Sequence, residues 1–599
     1  MTEAEPKNLV EMFLERVGRL GDRPALRFKR DGAWREITWR EWEREVKLLA
    51  FGLLKLGLKH GDTVSIASNN RPEWVHFDLA VQMAGGILVS VYPSLTPEEV
   101  RFIHDDARVR FAVVEDASQL AKLLSVIDSL PQVGGIVLVD GRSDDPRVMS
   151  YADFRETGAG GNDAVLEKKI EAIGPGDVAT IIYTSGTTGL PKGVMLTHDN
   201  VLFNCEAVLK VFEVRPDDSA ISYLPLSHAY ERVGGFYVAV YAGIVMNFAE
   251  SLDRMSANLL EVRPTLLCAV PRVIEKAYAA IQAKVASGGV VSRALFGWAV
   301  AVGRQTSASR LEGRPLPPML SLKHRLARRL VYSRIAERFG GRLRFIAVAG
   351  APMSKSIAEF FHALDLLVLE GWGMTECAAP ATLNTLQKAR FGTVGLPLPG
   401  VELKIAEDGE ILMKGRSVFA GYFRNPEATA ETIRDGWLHT GDIGEIDPDG
   451  MLRITDRKKD LIITSGGKNI APQKIENLLI ADPYIAQAVV IGDERHFLTA
   501  LISPSMDAVA RFAKEKGLGP AAGERATAAT HPQVIAFIRE RVELANRQLA
   551  KFETIKEFRL LPCELTQETG ELTPTLKLKR KVVKEKYKDL IEQMYGGPP

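Results

Sequence analysis

Residues 183–194 read YTSGTTGLPKGV and follow the apolar run VATIIYT. Thr184, Ser185, Thr187 and Thr188 supply hydroxyls, Gly186 and Gly189 leave backbone N–H groups open to close approach, and Lys192 adds a cation. At the end of a strand, such a stretch offers many donors to phosphate oxygens. It is not a Walker A loop, which needs a Gly-Lys pair followed directly by Ser or Thr, because Gly189 is followed by Leu190, Pro191 and Lys192. Read alone, the segment also fits a flexible Gly/Thr surface loop.

Other reactive residue types give weaker local signals. The histidines show no HExxH or comparable ligand spacing and form no cluster with cysteine, so no zinc site is expected. His228, within PLSHAY, reads by itself as a core histidine. Glu376 reads as a solvated loop carboxylate, Asp442 after Thr-Gly as a turn residue, and Trp372 and Trp437 as core aromatics. A lysine at 577, opening KLKRKVVKEK, reads as part of a solvated basic face. Cys205, Cys268, Cys377 and Cys563 lie far apart without a CxxC pair, and the first residues lack a basic stretch followed by an apolar core. A reducing, cytoplasmic setting follows.

The elements that would hold these residues alternate. Apolar positions recur at near 3.6 spacing in NLVEMFLERVGRL and TWREWEREVKLLAFGLLKLGL, between short β-branched runs such as TVSIAS, GILVSVY, RFAVVE, VGGIVLVD and RFIAVAG. That pattern predicts an α/β chain with more than one largely parallel sheet. At 599 residues, 46% hydrophobic and 25% charged, the chain is ordinary globular material expected to hold at least three folding units. The uncharged runs 79–97 and 233–249 approach membrane-spanning length, but their Gly, Pro and polar residues make each a buried helix entering a buried strand. From about Pro397 shorter strands with AspGly and ProAspGly turns predict a β-rich, barrel-like subdomain. A boundary is expected near 456, giving an N-terminal domain over 1–455, with its β-rich part at about 397–455, a linker over 456–461 and a small α+β domain over 462–599.

Lys and Arg number 76 against 75 Asp and Glu, a net charge of +1, so no global field favours a nucleic-acid partner. One local excess stands out. Between 322 and 344, Lys323, Arg325, Arg328, Arg329, Arg334, Arg338, Arg342 and Arg344 face only Glu337, with Leu322, Leu326, Leu330, Ile335 and Phe339 at near-helical spacing. This is either a surface helix with its apolar stripe in the core or a helix that contacts an anionic membrane peripherally, at the inner face.

Further segments act together with the phosphate-type loop: GAP at 350–352, EGWGMTE at 370–376, GWLHTGD at 436–442, DRKKD at 456–460 and GKNIAP at 467–472. With these in order, the chain resembles the AMP-forming acyl/aryl adenylating superfamily. With PLSHAYERV at 225–233, VPRVIEK at 270–276 and LTPTLKLKR at 572–580, it resembles the long-chain fatty acyl-CoA synthetases within it. The resemblance implies a two-step reaction in which a fatty carboxylate, ATP and Mg2+ yield acyl-AMP and pyrophosphate, and coenzyme A then displaces AMP. It implies Thr184 and Glu376 as magnesium ligands, 184–189 and Lys192 at the phosphates, and Asp442 and Arg457 at the ribose. Gly350, Ala351 and Pro352, with Glu370, Gly371, Trp372, Gly373, Met374 and Thr375, would flank adenine. His228 and Tyr230 would line the acyl-carboxylate end, and Lys577 would be the catalytic lysine on a small domain that rotates between the steps. The family's common Gly-Lys is Leu-Lys here, with Lys579 two residues on. The glycines of SGGKN at 465–469 face either a pantetheine channel or a simple hairpin turn. Other readings are an acyl-AMP ligase that delivers to a carrier protein and a non-catalytic binding protein of the same fold.

Overall fold

The structure is a computed structural model that describes residues 5–184, 191–465, 468–519, 523–573 and 578–596. Helix starts follow capping chemistry. Asn8 accepts from the Glu11 amide ahead of Leu9–Leu20, and Thr38 forms a capping box with Glu41 ahead of Trp39–Lys55.

Two large sheets carry the N-terminal part. The first has eight strands, with a parallel centre of Val178–Thr184, Ile87–Val91, Thr63–Ala67 and Phe111–Val114 as neighbours in that order. Thr63–Ala67 is buried along its whole length, as a parallel strand covered on both faces requires. Lys192–Thr197 returns antiparallel on Val178–Thr184, and Gly421–Tyr422 pairs on its outer side. The second sheet has nine strands, with Val245–Phe248, Ser219–Ser222, Leu266–Ala269, Phe345–Val348 and Val368–Met374 parallel and Ala379–Leu383 antiparallel beyond them. An antiparallel hairpin, Pro24–Arg30 and Ala33–Thr38, closes its other edge. Its charged, half-exposed residues give no buried β-branched run, so the periodicity did not reveal it.

The two uncharged runs behave as expected. The run at 79–97 ends the wholly buried helix Pro72–Met83 and continues into Ile87–Val91. The run at 233–249 passes through a π-helical segment, Tyr230–Tyr237, into Val245–Phe248. Arg232 in that segment pairs with Asp78 of the buried helix, and both side chains are fully buried. The pair is supported by Tyr237 and Gln82, which bond Asp78, and by Thr180, which Arg232 bonds. It ties the PLSHAYERV segment to the strand that feeds the phosphate-type loop. Removing one partner from such a pair typically costs about 3–5 kcal/mol. No helix among the described residues is long and apolar enough to cross a membrane.

The β-rich subdomain is an open five-stranded antiparallel sheet. Glu402–Ile405 and Glu410–Lys414 form a hairpin across Asp408-Gly409, and Trp437–Ile446 pairs with Glu410–Lys414, Ile433–Arg434 and Leu452–Arg457. Asp456 and Arg457, the first two residues of the expected linker, belong to this ladder, opposite Ile443 and Asp442. The C-terminal part has its own core, where Ile485–Ile491, Leu498–Pro504 and Ile555–Leu560 pack with helices including Pro472–Ile480 and Pro532–Asn546.

The basic segment is not one continuous amphipathic helix. Pro318–Ala327 runs into a π turn, Arg328–Tyr332, and then Ser333–Arg338. The extra residue of the π turn rotates the following positions, so the stripe divides. Leu322 and Leu326 are 55% and 49% exposed, while Leu330 and Ile335 pack on the core and Phe339 is buried. Three of its cations find partners that the local sequence hides: Arg328 faces Asp365, Arg342 faces Asp217 and Arg344 pairs with Asp218.

Candidate active site

A cavity of about 2210 Å³ lies between the N-terminal sheets, the β-rich subdomain and the C-terminal domain. Thr184 and Lys192 enter it from facing register positions on adjacent antiparallel strands, so the intervening loop starts and ends at the cavity wall. Ser185, Gly186, Thr187, Thr188 and Gly189 lie outside the described residues.

Glu376, in the turn that follows the strand Val368–Met374, lines the same cavity. Its Oε1 accepts from the Tyr422 hydroxyl at 2.9 Å, and Lys192 Nζ sits 5.0 Å from the centre of the same ring. Burial, and then Glu376, push the phenol well above its ordinary range, which keeps it a donor. Ala378 and Ala379, immediately after, both hold positive φ, of 56° and 79°. Non-glycine residues there cost of order 1–3 kcal/mol, a strain that concentrates at functional sites.

No group of three or more His, Cys, Asp or Glu that could hold a metal occurs among the described residues. A single carboxylate and a hydroxyl lining one cavity fit magnesium, which keeps several waters and binds through one or two carboxylates plus substrate phosphates. Glu376 and Thr184 are therefore a chemically suitable pair, and Glu376 Oε1 is already held in place by Tyr422.

Gly350, Ala351, Pro352, Glu370, Gly371, Trp372, Gly373, Met374 and Thr375 all line the same cavity. The glycines of EGWGMTE are dictated by the neighbouring strand. A Cβ on Gly373 would lie 1.9 Å from the Ala379 carbonyl, and one on Gly371 2.4 Å from Leu383 Cδ2. Glu370 is buried, and burial pushes its carboxyl up to about 8, against which the Gly392 amide at 3.3 Å is a small offset. Near neutral pH it carries a proton and can both donate and accept at the cavity wall.

Trp372 Nε1 donates to Asp442 Oδ2 at 2.7 Å, and Arg457 Nε lies 3.1 Å from Asp442 Oδ1 without the alignment of a hydrogen bond. Asp442 Oδ1 thus keeps its acceptor capacity beside the cavity, which suits a hydroxyl-bearing ligand. Trp437 instead packs on the surface under Lys404, 4.0 Å from its ring centre. His228 is half-buried, and its Nδ1 accepts from the Tyr230 amide at 3.1 Å. Tyr230 is anchored by its hydroxyl on the Ala347 carbonyl at 2.8 Å.

Lys577 lies outside the described residues. Leu572 and Leu578 form a bridge on either side of it, and Thr573, Leu578 and Lys579 line the cavity together with Thr184 and Glu376. Lys458 bonds Asp408 at 2.6 Å and Glu410 at 3.0 Å, holding a third linker residue to the β-rich sheet. Asp456 is buried, its carboxyl pushed up to about 6 by burial, and accepts from the Gln473 amide at 3.2 Å. In SGGKN, Gly466 and Gly467 lie outside the described residues, while Ser465 bonds His496 at 2.8 Å.

Tyr422, Lys458 and Arg272 also line the cavity; Tyr422 escaped the sequence reading, while Lys458 and Arg272 lie in segments it singled out without giving either residue a role. Tyr422 sits in a two-residue strand, 46 positions after the carboxylate it serves, and no local spacing connects them.

Comparison with known proteins gives the family and the fold. Residues 13–423 match the AMP-binding enzyme family and residues 459–597 the AMP-binding enzyme C-terminal domain. The long-chain-fatty-acid–CoA ligase FadD15 of Mycobacterium bovis is 35% identical over 571 residues, covering 94% of this chain and 93% of that protein. The long-chain-fatty-acid–CoA ligase ACSBG2 of Xenopus laevis is 33% identical, covering 99% and 85%. Among solved structures, an anthranilate CoA ligase, AuaEII, in complex with anthranoyl-AMP superposes with a TM-score of 0.75 at 19% identity, covering 98% and 99% of the two chains. The A-PCP didomain of a carboxylic acid reductase from Segniliparus rugosus in complex with AMP gives 0.76 at 21% identity, covering 99% and 82%. At these identities the structural likeness speaks for the fold alone. Sequence match across both domains and a cavity built from both make the chain a member of the AMP-binding enzyme family.

Proposed function

We propose that this protein is an ATP-dependent long-chain fatty acid–CoA ligase. The observation that carries the reading is the shared cavity, where Thr184, Lys192, Glu376 and Asp442 meet the residues flanking Lys577. The FadD15 and ACSBG2 relatives, similar over nearly the whole chain, support the substrate class.

In the first step a carboxylate oxygen attacks the α-phosphorus of ATP, the acyl–phosphate bond forms, and the bond to pyrophosphate breaks. Two anions must approach, and unit charges about 4 Å apart interact by about 4 kcal/mol at an effective dielectric near 20. Lys192, the donors of 184–189 and Lys577 offset that repulsion. Thr184 and Glu376 would hold a magnesium ion, whose charge, when bound, neutralises phosphate oxygens. Asp442 accepts from the ribose hydroxyls with Arg457 beside it, and the Gly350 and Gly371 segments flank adenine. His228 and Tyr230 border the acyl carboxylate. In the second step the thiol of coenzyme A attacks the acyl carbon, loses its proton, and AMP leaves. The small domain rotates about the linker after Lys458, because the thiol needs a route that the closed adenylation geometry blocks.

A panel of carboxylates from acetate to oleate, assayed for pyrophosphate release and for acyl-CoA formation, tests this. Long-chain acids should support both. Pyrophosphate release without acyl-CoA in the presence of free coenzyme A would favour delivery to a carrier protein, and neither product would favour a binding protein.

Peripheral contact with an anionic membrane is supported by the outward face of Pro318–Ala327. Met319, Leu322 and Leu326 are exposed there at 63%, 55% and 49%, with Lys323, Arg325 and Arg329 exposed beside them. Fatty acids partition into bilayers, so a docked enzyme meets its substrate where it concentrates.

A further inference from the structure

We infer that Arg272 is a positioning residue that latches the C-terminal domain in the adenylation orientation, its guanidinium seated between the Ala486 carbonyl and the Glu564 carboxylate. The inference rests on the two-step reading above and names the contact that biases the domain between the steps.

Arg272 occupies the first turn of the helix Pro271–Ala286, directly after the strand Leu266–Ala269, and so projects from the rigid N-terminal part. One terminal nitrogen donates to the Ala486 carbonyl, and the other donates to Glu564 Oε1 at 3.1 Å. A planar fork matched to two fixed acceptors is the arrangement that distinguishes arginine from lysine. The side chain is only 17% exposed, so the pairing is partly shielded from water.

The receptor is assembled entirely within the C-terminal domain. Register between Ile485–Ile491 and Leu498–Pro504 shifts between Ile485 and Gln487, which leaves Ala486 as a bulge residue outside the regular pairing. The neighbouring Gln487 side chain bonds the Leu565 backbone in both directions, donating to its carbonyl at 2.9 Å and accepting from its amide at 3.0 Å. Residue 564 is thereby pinned beside the bulge. Arg525 lies 3.6 Å from the other Glu564 oxygen and itself bonds Ser503 at 3.0 Å. The acceptors are in place before Arg272 arrives.

Position gives the contact its consequence. Arg457 and Lys458 hold the linker to the β-rich subdomain, and Arg272 holds the domain at a second place. A body held at the linker and at a second place keeps only rotation about the line through the two. While the guanidinium is seated, Thr573 and Leu578 face the cavity shared with Thr184 and Glu376. Rotation for the thiol step must break both of its bonds together.

The test places spin labels at the exposed Glu312 and Glu543 of the full chain and records their distance distribution, alongside the two half-reactions measured separately. Arg272→Ala should show a second distance population without ligand. Its pyrophosphate release should fall about 5- to 10-fold, the low end of typical coupling between sites, while thioester formation from supplied acyl-AMP holds or rises. Glu564→Gln, on the opposite domain, should give a smaller change in the same direction, and Arg272→Lys should recover part of the loss. Unchanged distances in Arg272→Ala, or equal losses in both half-reactions, overturn the latch. A wild-type chain with one distance under ATP, AMP and coenzyme A alike would remove the two-orientation reading itself, and the latch with it.

Discussion

The hydroxyl of Tyr422 reaches Glu376 at 2.9 Å while Lys192 sits above the same ring, so one phenol joins the exit of the phosphate-type loop to the candidate magnesium carboxylate. Tyr422 comes from the strand Gly421–Tyr422 at the sheet edge, paired with Lys192–Thr197. The orientation of Glu376 is thus set by a residue that neither motif contains.

Tyr422→Phe should therefore weaken metal-dependent adenylation without abolishing it. Hydrogen bonds to charged groups contribute about 1.5–3 kcal/mol, which corresponds to a loss of roughly 10- to 100-fold in pyrophosphate release. The magnesium concentration for half-maximal rate should rise. Glu376→Gln should remove metal-dependent turnover while leaving the chain folded. An unchanged magnesium dependence in both variants would show that this pair does not serve the metal.

Lys577→Ala should slow adenylation by about 10²- to 10³-fold, the usual loss for one charge-stabilising donor, and slow thiol transfer from supplied acyl-AMP far less. Lys579→Ala should stay much closer to wild type. If the losses are reversed between the two lysines, the catalytic role moves two residues along.

The linker should respond at Lys459, the first of its residues with neither a strand pairing nor a salt bridge among the described residues. Asp456 and Arg457 are ladder residues and Lys458 is bound to Asp408 and Glu410, so a change at any of them also disturbs the β-rich sheet. Lys459→Pro fixes φ beyond those clamps. Adenylation and thioester formation measured apart should fall unequally, and equal losses would place the pivot elsewhere.

Stability should decline as pH rises from about 6.5 to 8, above the range in which His76, His104, His198 and His362, held down to about 4 by burial, raise it with pH. Burial pushes Glu370 and Glu231 up to about 8 from an ordinary 4.5. Between those values the folded chain keeps protons that the unfolded chain has released. Their contribution is full below about 4.5 and lost as pH rises through about 8, at about 1.4 kcal/mol per pH unit for each group. Glu370→Gln should flatten that decline by one group's share, read from urea unfolding at about pH 6.5, 7 and 7.5. A variant with the wild-type slope would mean that Glu370 is ionised in the folded protein.

Replacing Lys323, Arg325 and Arg329 by Gln should weaken binding to anionic vesicles by about 1 kcal/mol per residue, with little effect on turnover of short soluble acids. These three are chosen because Arg328 faces Asp365. Unaltered vesicle partitioning would return the segment to an ordinary surface helix.

Local chemistry in the sequence determined what is local in the protein. Turn residues such as Asp408-Gly409, helix periodicity at 9–20 and 39–55, and buried β-branched runs specify their elements because the backbone preferences and the apolar face are properties of neighbouring residues. The family's motifs, each a short string, likewise marked Thr184, Glu370, Glu376, Asp442 and Arg457. What joins those strings was decided only by the fold. The Trp372 bond to Asp442, the Tyr422 bond to Glu376 and the clasp of Arg272 on Ala486 and Glu564 each span tens to hundreds of positions. The basic segment shows the same division. Its charges were visible in the sequence, but a π turn split its apolar stripe, and aspartates from distant turns and loops decided which arginines stay free for an outside partner. Periodicity fixes the face of one helix, whereas partner choice depends on which surfaces packing brings within a few ångströms.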